Sequence, residues 1–89
     1  MIFAREDGGP HMIEVLFFGR MADVMQTRSL KVAADGVTLT GLRDRLFADA
    51  RDKVRFEAIQ MSVNQQVTRE DQFLKDGDEV AFFSVFSGG

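Results

Sequence analysis

Asp76-Gly77-Asp78-Glu79-Val80-Ala81-Phe82-Phe83-Ser84-Val85-Phe86-Ser87-Gly88-Gly89 closes the chain, and its reading decides the fold. Asp-Gly-Asp is a strong turn signal, because glycine admits positive φ and aspartate bonds its own backbone. Glu79 to Phe86 then reads as the last strand, rich in β-branched and aromatic residues. Val80 and Phe82 share one phase of the alternation and Phe83 the other, so one of the two adjacent phenylalanines must leave the core. Only Ser87 separates this strand from the terminal Gly88-Gly89.

Working outward, Asp71-Gln72-Phe73-Leu74-Lys75 reads as a short helical or turn segment. Ala58 to Val63 reads as a strand, Asn64-Gln65-Gln66 as a turn, with Val67 after it. Thr38 to Ala50 is the main helix. Thr38 is the expected N-cap, and Leu39, Leu42, Leu46 and Ala50 recur at helical spacing with Phe47 beside them. Arg43, Asp44, Arg45, Asp49 and Arg51 form its solvated side. Ala33-Ala34-Asp35-Gly36 is a turn, Ser29 to Val32 a short strand, and Gly19 to Met25 a short helix or turns. Met12-Ile13-Glu14-Val15-Leu16-Phe17-Phe18 is the opening strand. Ile13, Val15 and Phe17 line one face; Glu14, Leu16 and Phe18 line a wetter one. Before it, Gly8-Gly9-Pro10-His11 reads as a linker, so residues 1–11 are set apart as a tag or extension, 12–86 as the domain, and 87–89 as a tail.

One main helix among several short strands, with the last strand at the C-terminus, predicts an α+β fold in which a mixed sheet packs on that helix.

Composition removes most chemistries. The chain has 89 residues, no cysteine, one histidine, and a net charge of −3. Without cysteine there are no disulfides, thiolate nucleophiles or thiolate-ligated metals. His11 alone makes no metal site. The acidic balance and unclustered Lys and Arg argue against a duplex nucleic-acid binder. No apolar run is long enough to span a membrane and no secretory signal pattern opens the chain, so a cytosolic setting is the default. The aromatics are nine Phe, with no Tyr or Trp, more than a domain this small is expected to bury, so some are expected to face a partner. No nucleophile–histidine–acid set, phosphate-binding glycine loop or metal-ligand spacing is present. Asp76 and Asp78 flank a glycine without the rest of a calcium loop and are read as turn residues.

The Gly88-Gly89 end is what remains. Two residues without Cβ thread a narrow channel in extended form, and a terminal carboxylate on such an arm reaches an enzyme site that a globular body cannot. Taken alone the pair also reads as a frayed tail of small residues; its place directly after an apolar strand makes chemistry at the terminus reasonable.

Three segments carry a resemblance: Ile13-Glu14-Val15-Leu16-Phe17-Phe18-Gly19, Val63-Asn64-Gln65-Gln66-Val67, and Asp76-Gly77-Asp78-Glu79-Val80-Ala81-Phe82-Phe83 with Ser87-Gly88-Gly89. In that order and spacing, residues 12–89 resemble the MoaD family, the small sulfur-carrying subunit of molybdopterin synthase. The family often has two prolines where this chain has Ser84-Val85-Phe86. The glutamine-rich turn and the ending also resemble ThiS, the sulfur carrier of thiamine synthesis; the long opening strand and its Phe-Phe-Gly end favour MoaD.

The resemblance implies a β-grasp (ubiquitin-like) fold and no permanently bound cofactor. It implies that an adenylating enzyme (MoeB-like) uses ATP on the Gly89 carboxylate. Sulfur transfer then gives a thiocarboxylate, which donates sulfur to precursor Z inside the large synthase subunit (MoaE-like). Gly88 and Gly89 would carry the chemistry, and the catalytic groups would belong to the partners. Partner contacts would fall on Phe18, Val67 and Phe83, with Phe86 and Ser87 at the base of the tail. Three alternatives stay open: a thiamine-pathway carrier, a ubiquitin-like modifier whose Gly89 ends on a lysine, and a plain interaction module with an inert tail.

Overall fold

The computed structural model describes residues 12–33 and 36–84. Five strands, β1 (Met12–Phe17), β2 (Ser29–Ala33), β3 (Ile59–Val63), β4 (Gln66–Thr68) and β5 (Glu79–Ser84), and two helices, α1 (Arg20–Met25) and α2 (Leu39–Leu46), make up the fold. The strands form one sheet in the order β2-β1-β5-β3-β4. β1 and β5 run parallel at its centre, and the other three pairings are antiparallel. This is the β-grasp architecture: two hairpins brought side by side by a parallel central pair.

Alternation in the strands dictates which face meets α2. Ile13, Val15 and Phe17 of β1, Val80 and Phe82 of β5, and Ile59, Met61 and Val63 of β3 are buried in one cluster with Leu39, Leu42 and Phe47 of the helical layer. Phe17, Phe47 and Phe82 meet ring to ring, with centroids 5.4 to 6.0 Å apart and Phe47 edge-on to both partners. Such geometry is favoured by the aromatic quadrupole. Phe47 thereby locks the end of the helix onto the two central strands.

That lock explains where the helix ends. The sequence predicts a helix running to Ala50, but α2 stops at Leu46, and Ala48–Ala50 is a 3₁₀ turn. Leu46 is only half-buried, while Phe47 and Ala50 are buried. Inward positions three apart belong to the tighter 3₁₀ winding.

Asp71 to Lys75 also departs from expectation. It is extended, not helical, and Phe73 bridges Thr38. The physical reason lies at the start of α2, whose first N–H groups have no partner within the helix. Leu39 N–H donates to the Gln72 carbonyl (2.9 Å), Thr40 N–H to Asp71 Oδ1 (2.9 Å), and Gly41 N–H to Thr38 Oγ1 (3.1 Å). An extended segment supplies two of those three acceptors and still buries Leu74.

Smaller differences concern boundaries. β1 ends at Phe17, before Phe18; β2 continues to Ala33; β3 begins at Ile59; and Gln66 belongs to β4, so the hairpin turn is Asn64-Gln65 alone. Both turn residues have positive φ, 51° and 71°, as a two-residue hairpin loop with primed geometry demands. Residues 1–11, Ala34-Asp35, and Val85 to Gly89 lie outside the described residues, and with them the expected linker and His11, the middle of the Ala33–Gly36 turn, the end of the last strand, and the Gly-Gly tail.

Candidate functional site

The face of the sheet turned away from α2 is the candidate site, because it holds exposed apolar residues near the C-terminal end of β5. Its rows follow from register. Leu16 pairs with Ala81, Ala81 with Ser62, and Ser62 with Val67. One step toward the C-terminal end of β5, Phe18 follows Phe17, whose partner is Phe82, and Phe18 N–H donates to the Phe82 carbonyl at 3.1 Å. Phe83 pairs with Gln60. Since Phe17 and Phe82 point into the core, Phe18 and Phe83 share the opposite face.

Exposure follows that placement. Phe82 is fully buried and Phe83 half-buried, while Phe18 is 53% and Val67 66% exposed. Phe18, Val67 and Phe83 are thus brought onto one face. Phe86, Ser87, Gly88 and Gly89 lie outside the described residues. Two residues that sequence reasoning did not single out complete the rows. Leu16, on β1, lies beside Phe18, and Ala81 links it through Ser62 to Val67; the signal for Leu16 and Ala81 was parity, since each lies two positions from a patch phenylalanine. Phe73, 72% exposed, was also missed. It stands beside the start of α2 and is no part of this face.

Local structure fixes the Phe18 end of the patch. Gly19 has φ 54° and ψ −126°, a conformation closed to other L-residues. The chain turns there from β1 into α1, and the Phe18 carbonyl accepts from Met21 N–H at 3.0 Å. A groove of about 580 Å³ opens beside it, lined by Leu16, Phe18, Ala22, Asp23, Arg28 and Ser29.

At the opposite end of β5 the turn residues are structural. Asp78 is buried; its Oδ2 accepts from Lys75 N–H (2.7 Å) and its Oδ1 from Asn64 Nδ2 (3.0 Å), while Asn64 Oδ1 accepts from Glu79 N–H (3.0 Å). Asp76 Oδ1 accepts from Met12 N–H at 2.8 Å. Both aspartates are therefore occupied in pinning β1, β3 and β5 together.

No group of three or more His, Asp or Glu side chains is placed to hold a metal among the described residues. One carboxyl there is held clearly below its ordinary value: Asp71, chiefly by the Thr40 backbone N–H, then the Thr40 hydroxyl, with smaller help from Gln72 N–H and the Arg43 charge. It belongs to the cap of α2, away from the patch. The face therefore offers apolar contact through Phe18, Phe83 and Val67.

Comparison with known proteins shows the family and the fold. The ThiS family profile matches residues 15–89. The molybdopterin synthase sulfur carrier subunit of Escherichia coli (strain K12) is 40% identical over 81 residues, covering 88% of this chain and all of that protein. Among solved structures, SAMP1 from Haloferax volcanii superposes with a TM-score of 0.69 at 26% identity, covering 88% of this chain and 99% of that one. Subunits 1 and 2 of molybdopterin-converting factor from Helicobacter pylori 26695 have been solved as a complex, and a chain of it superposes with a TM-score of 0.63 at 25% identity, covering 88% and 99%.

Proposed function

This chain belongs to the ThiS family and, within it, to the MoaD-type sulfur carriers of molybdopterin synthase, and from that premise we propose that it carries sulfur as a thiocarboxylate on Gly89 during molybdopterin synthesis. The observation that carries the proposal is the full-length match to a sulfur carrier subunit, on a chain with no cysteine that ends in Gly88-Gly89. With no thiol in the chain to carry it, the proposal puts the sulfur on the terminal carboxylate, as the resemblance implies.

The chemistry balances in three steps. An oxygen of the Gly89 carboxylate attacks the α-phosphorus of ATP on an activating enzyme, and pyrophosphate leaves. A hydrosulfide-level sulfur from a donor then attacks the acyl carbon, and AMP leaves with the former carboxylate oxygen; where the donor is a persulfide, a thiol then cleaves its S–S bond by exchange and frees the thiocarboxylate. In the large synthase subunit the thiocarboxylate sulfur attacks an electrophilic carbon of the pterin precursor with loss of an oxygen leaving group, and water cleaves the acyl–sulfur bond to return the Gly89 carboxylate. The chain's own contribution is delivery and docking: Phe18, Phe83 and Val67, backed by Leu16 and Ala81, form the contact face, and Phe86 and Ser87 lead to Gly88-Gly89. On this reading the small chain is not an enzyme alone, it works in the cytosol, and its partners are the large subunit and the adenylating enzyme.

Intact mass tests it. Incubation with ATP, an activating enzyme of this type and a sulfur donor should add the mass of one oxygen-to-sulfur exchange, located by fragmentation at Gly89. Isopeptide ladders to target lysines, with no thiocarboxylate, would instead select the modifier reading suggested by the likeness to SAMP1. Loss of the Phe18 and Phe83 side chains should weaken binding to the large subunit without changing the mass shift.

A further inference from the structure

The sheet has two edges, and they are not equivalent. β4 has three residues and closes a tight hairpin. β2 has five, and it pairs on one side only, with β1. The hydrogen-bond parity of that pair is fixed, since Phe17 N–H donates to the Arg28 carbonyl at 2.9 Å. Bonded and non-bonded pairs alternate along an antiparallel ladder. Val15–Leu30 and Ile13–Val32 are therefore the bonded pairs, and Ser29, Lys31 and Ala33 turn their N–H and C=O groups to the open side. The Ser29 carbonyl accepts from Thr27 Oγ1 at 3.0 Å. The backbone groups of Lys31 and Ala33 have no partner among the described residues.

Side chains on this edge alternate in the same register. Leu30 and Val32 are half-buried and pack on the core; Ser29, Lys31 and Ala33 are exposed. An added strand would thus find an apolar step beside Leu30 and Val32 and a basic one at Lys31, with Arg28 just before the strand. Lys31 lies across from Glu14, yet no ion pair joins them among the described residues. A second copy of this chain is a poor occupant. The self-paired register that uses all five residues sets Lys31 opposite Lys31, and like charges directly opposed are destabilising. Edge lysines serve this purpose in natural sheets.

We propose that the open edge of β2 is a strand-addition site for an extended segment of a partner protein that alternates apolar and acidic residues, the acidic side chain lying opposite Lys31. Backbone bonds to Lys31 and Ala33 give affinity and the Lys31 charge gives selectivity. β2 lies two strands from β5, roughly 10 Å away at the usual strand spacing. A partner held there leaves Phe83 uncovered. The proposal stands independently of the sulfur chemistry.

The test is titration of the full-length, nitrogen-labelled chain with an acetylated, amidated Val-Glu-Val-Asp-Val peptide and its Val-Lys-Val-Lys-Val counterpart. The acidic peptide should shift the Lys31 and Ala33 amide signals and slow their hydrogen exchange. The basic peptide should bind about three- to fivefold more weakly, the scale of one cross-strand charge pair. Lys31→Glu should reverse that order while leaving adenylation of Gly89 unchanged. Three results would each overturn the proposal: no binding at millimolar peptide, shifts confined to the Phe18–Phe83 face, or equal affinity for both peptides. Concentration-dependent protection of Lys31 and Ala33 in the absence of peptide would also overturn it, since a second copy would then be the occupant.

Discussion

Phe82 and Phe83 are neighbours in sequence with opposite surroundings, and the difference is measurable. Phe82 is fully buried between the rings of Phe17 and Phe47. Phe82→Ala should destabilise the free domain by about 3–5 kcal/mol in chemical denaturation, the usual cost of emptying a buried phenylalanine site. Phe83 is half-buried on the outer face, so Phe83→Ala should cost the free domain far less. It should instead weaken binding to the large synthase subunit by roughly 1–2 kcal/mol or more, as a central aromatic anchor does. Equal destabilisation by both changes, with partner affinity untouched, would return Phe83 to the core. A second residue-scale prediction concerns Gln65, which holds φ 71° without being glycine. Gln65→Gly should raise stability by about 0.5–1 kcal/mol if relief of the left-handed strain outweighs the added chain entropy. An unchanged or lower denaturation midpoint would show that it does not.

At the scale of an element, the start of α2 shows how three unrelated positions act as one. Thr38, Asp71 and Gln72 each accept one of its first N–H groups. Gly41 looks like a weak residue inside a helix, where alanine is ordinarily worth about 1 kcal/mol. A Cβ there would come within 2.8 Å of Thr38 Oγ1, so Gly41→Ala displaces the cap as it improves propensity. The expected net change is near zero. Thr38→Ala should cost about 1 kcal/mol with Gly41 present and much less with alanine at 41; additivity of the two would refute the coupling. Asp71 adds a pH signature. Its carboxyl is held below the ordinary value in the folded chain by Thr40 N–H. That stabilisation is complete above the unfolded-state pKa and is lost as pH falls through the depressed folded one. The stability advantage of the native chain over Asp71→Asn should therefore shrink below about pH 4; a gap independent of pH would contradict it. The same region shows what was legible in the sequence. Thr38 as cap, Leu39 and Leu42 as core, and the inward and outward faces of β1 were readable because each rests on local periodicity. The stop at Leu46 and the extended course of Asp71 to Lys75 were not. Both are set by contacts distant in sequence: Phe47 against Phe17 and Phe82, and α2's unpaired N–H groups against Gln72. The parity of Leu16 with Phe18 and of Ala81 with Phe83 was local too, but only the strand order shows that Leu16 and Ala81 adjoin in one row that ends at Val67.

At the scale of the whole molecule, β5 joins two poles with different work. At its start, Asp78, Asn64 and Asp76 tie β5 to β3 and to Met12; at its end, about 17 Å away at the usual strand rise, lie Phe18 and Phe83. On the proposed reading of Gly89 as the reacting terminus, fold and chemistry are separated along one strand, and two deletions test it. Removal of residues 1–11 places the new terminus at Met12, whose nitrogen already donates to Asp76 Oδ1. The ammonium created there faces a carboxylate, so the melting temperature should stay nearly unchanged; a large fall would mean that the segment contributes structure. Removal of Gly89 probes the other pole. Among the described residues the buried cluster runs from Ile13 to Phe82, and a terminal residue contributes little to stability. The truncated chain should unfold at the same denaturant concentration as the full one. Its new terminal carboxylate, on Gly88, sits one residue short, up to roughly 3.5 Å of reach at full extension, and in-line attack on a phosphorus demands placement far finer than that. Adenylation, followed as pyrophosphate release in the presence of the activating enzyme, should therefore be abolished while binding to that enzyme persists. Normal pyrophosphate release from the truncated chain would remove the terminus from the chemistry and with it the carrier assignment. Unfolding of the truncated chain would show instead that the two poles are coupled.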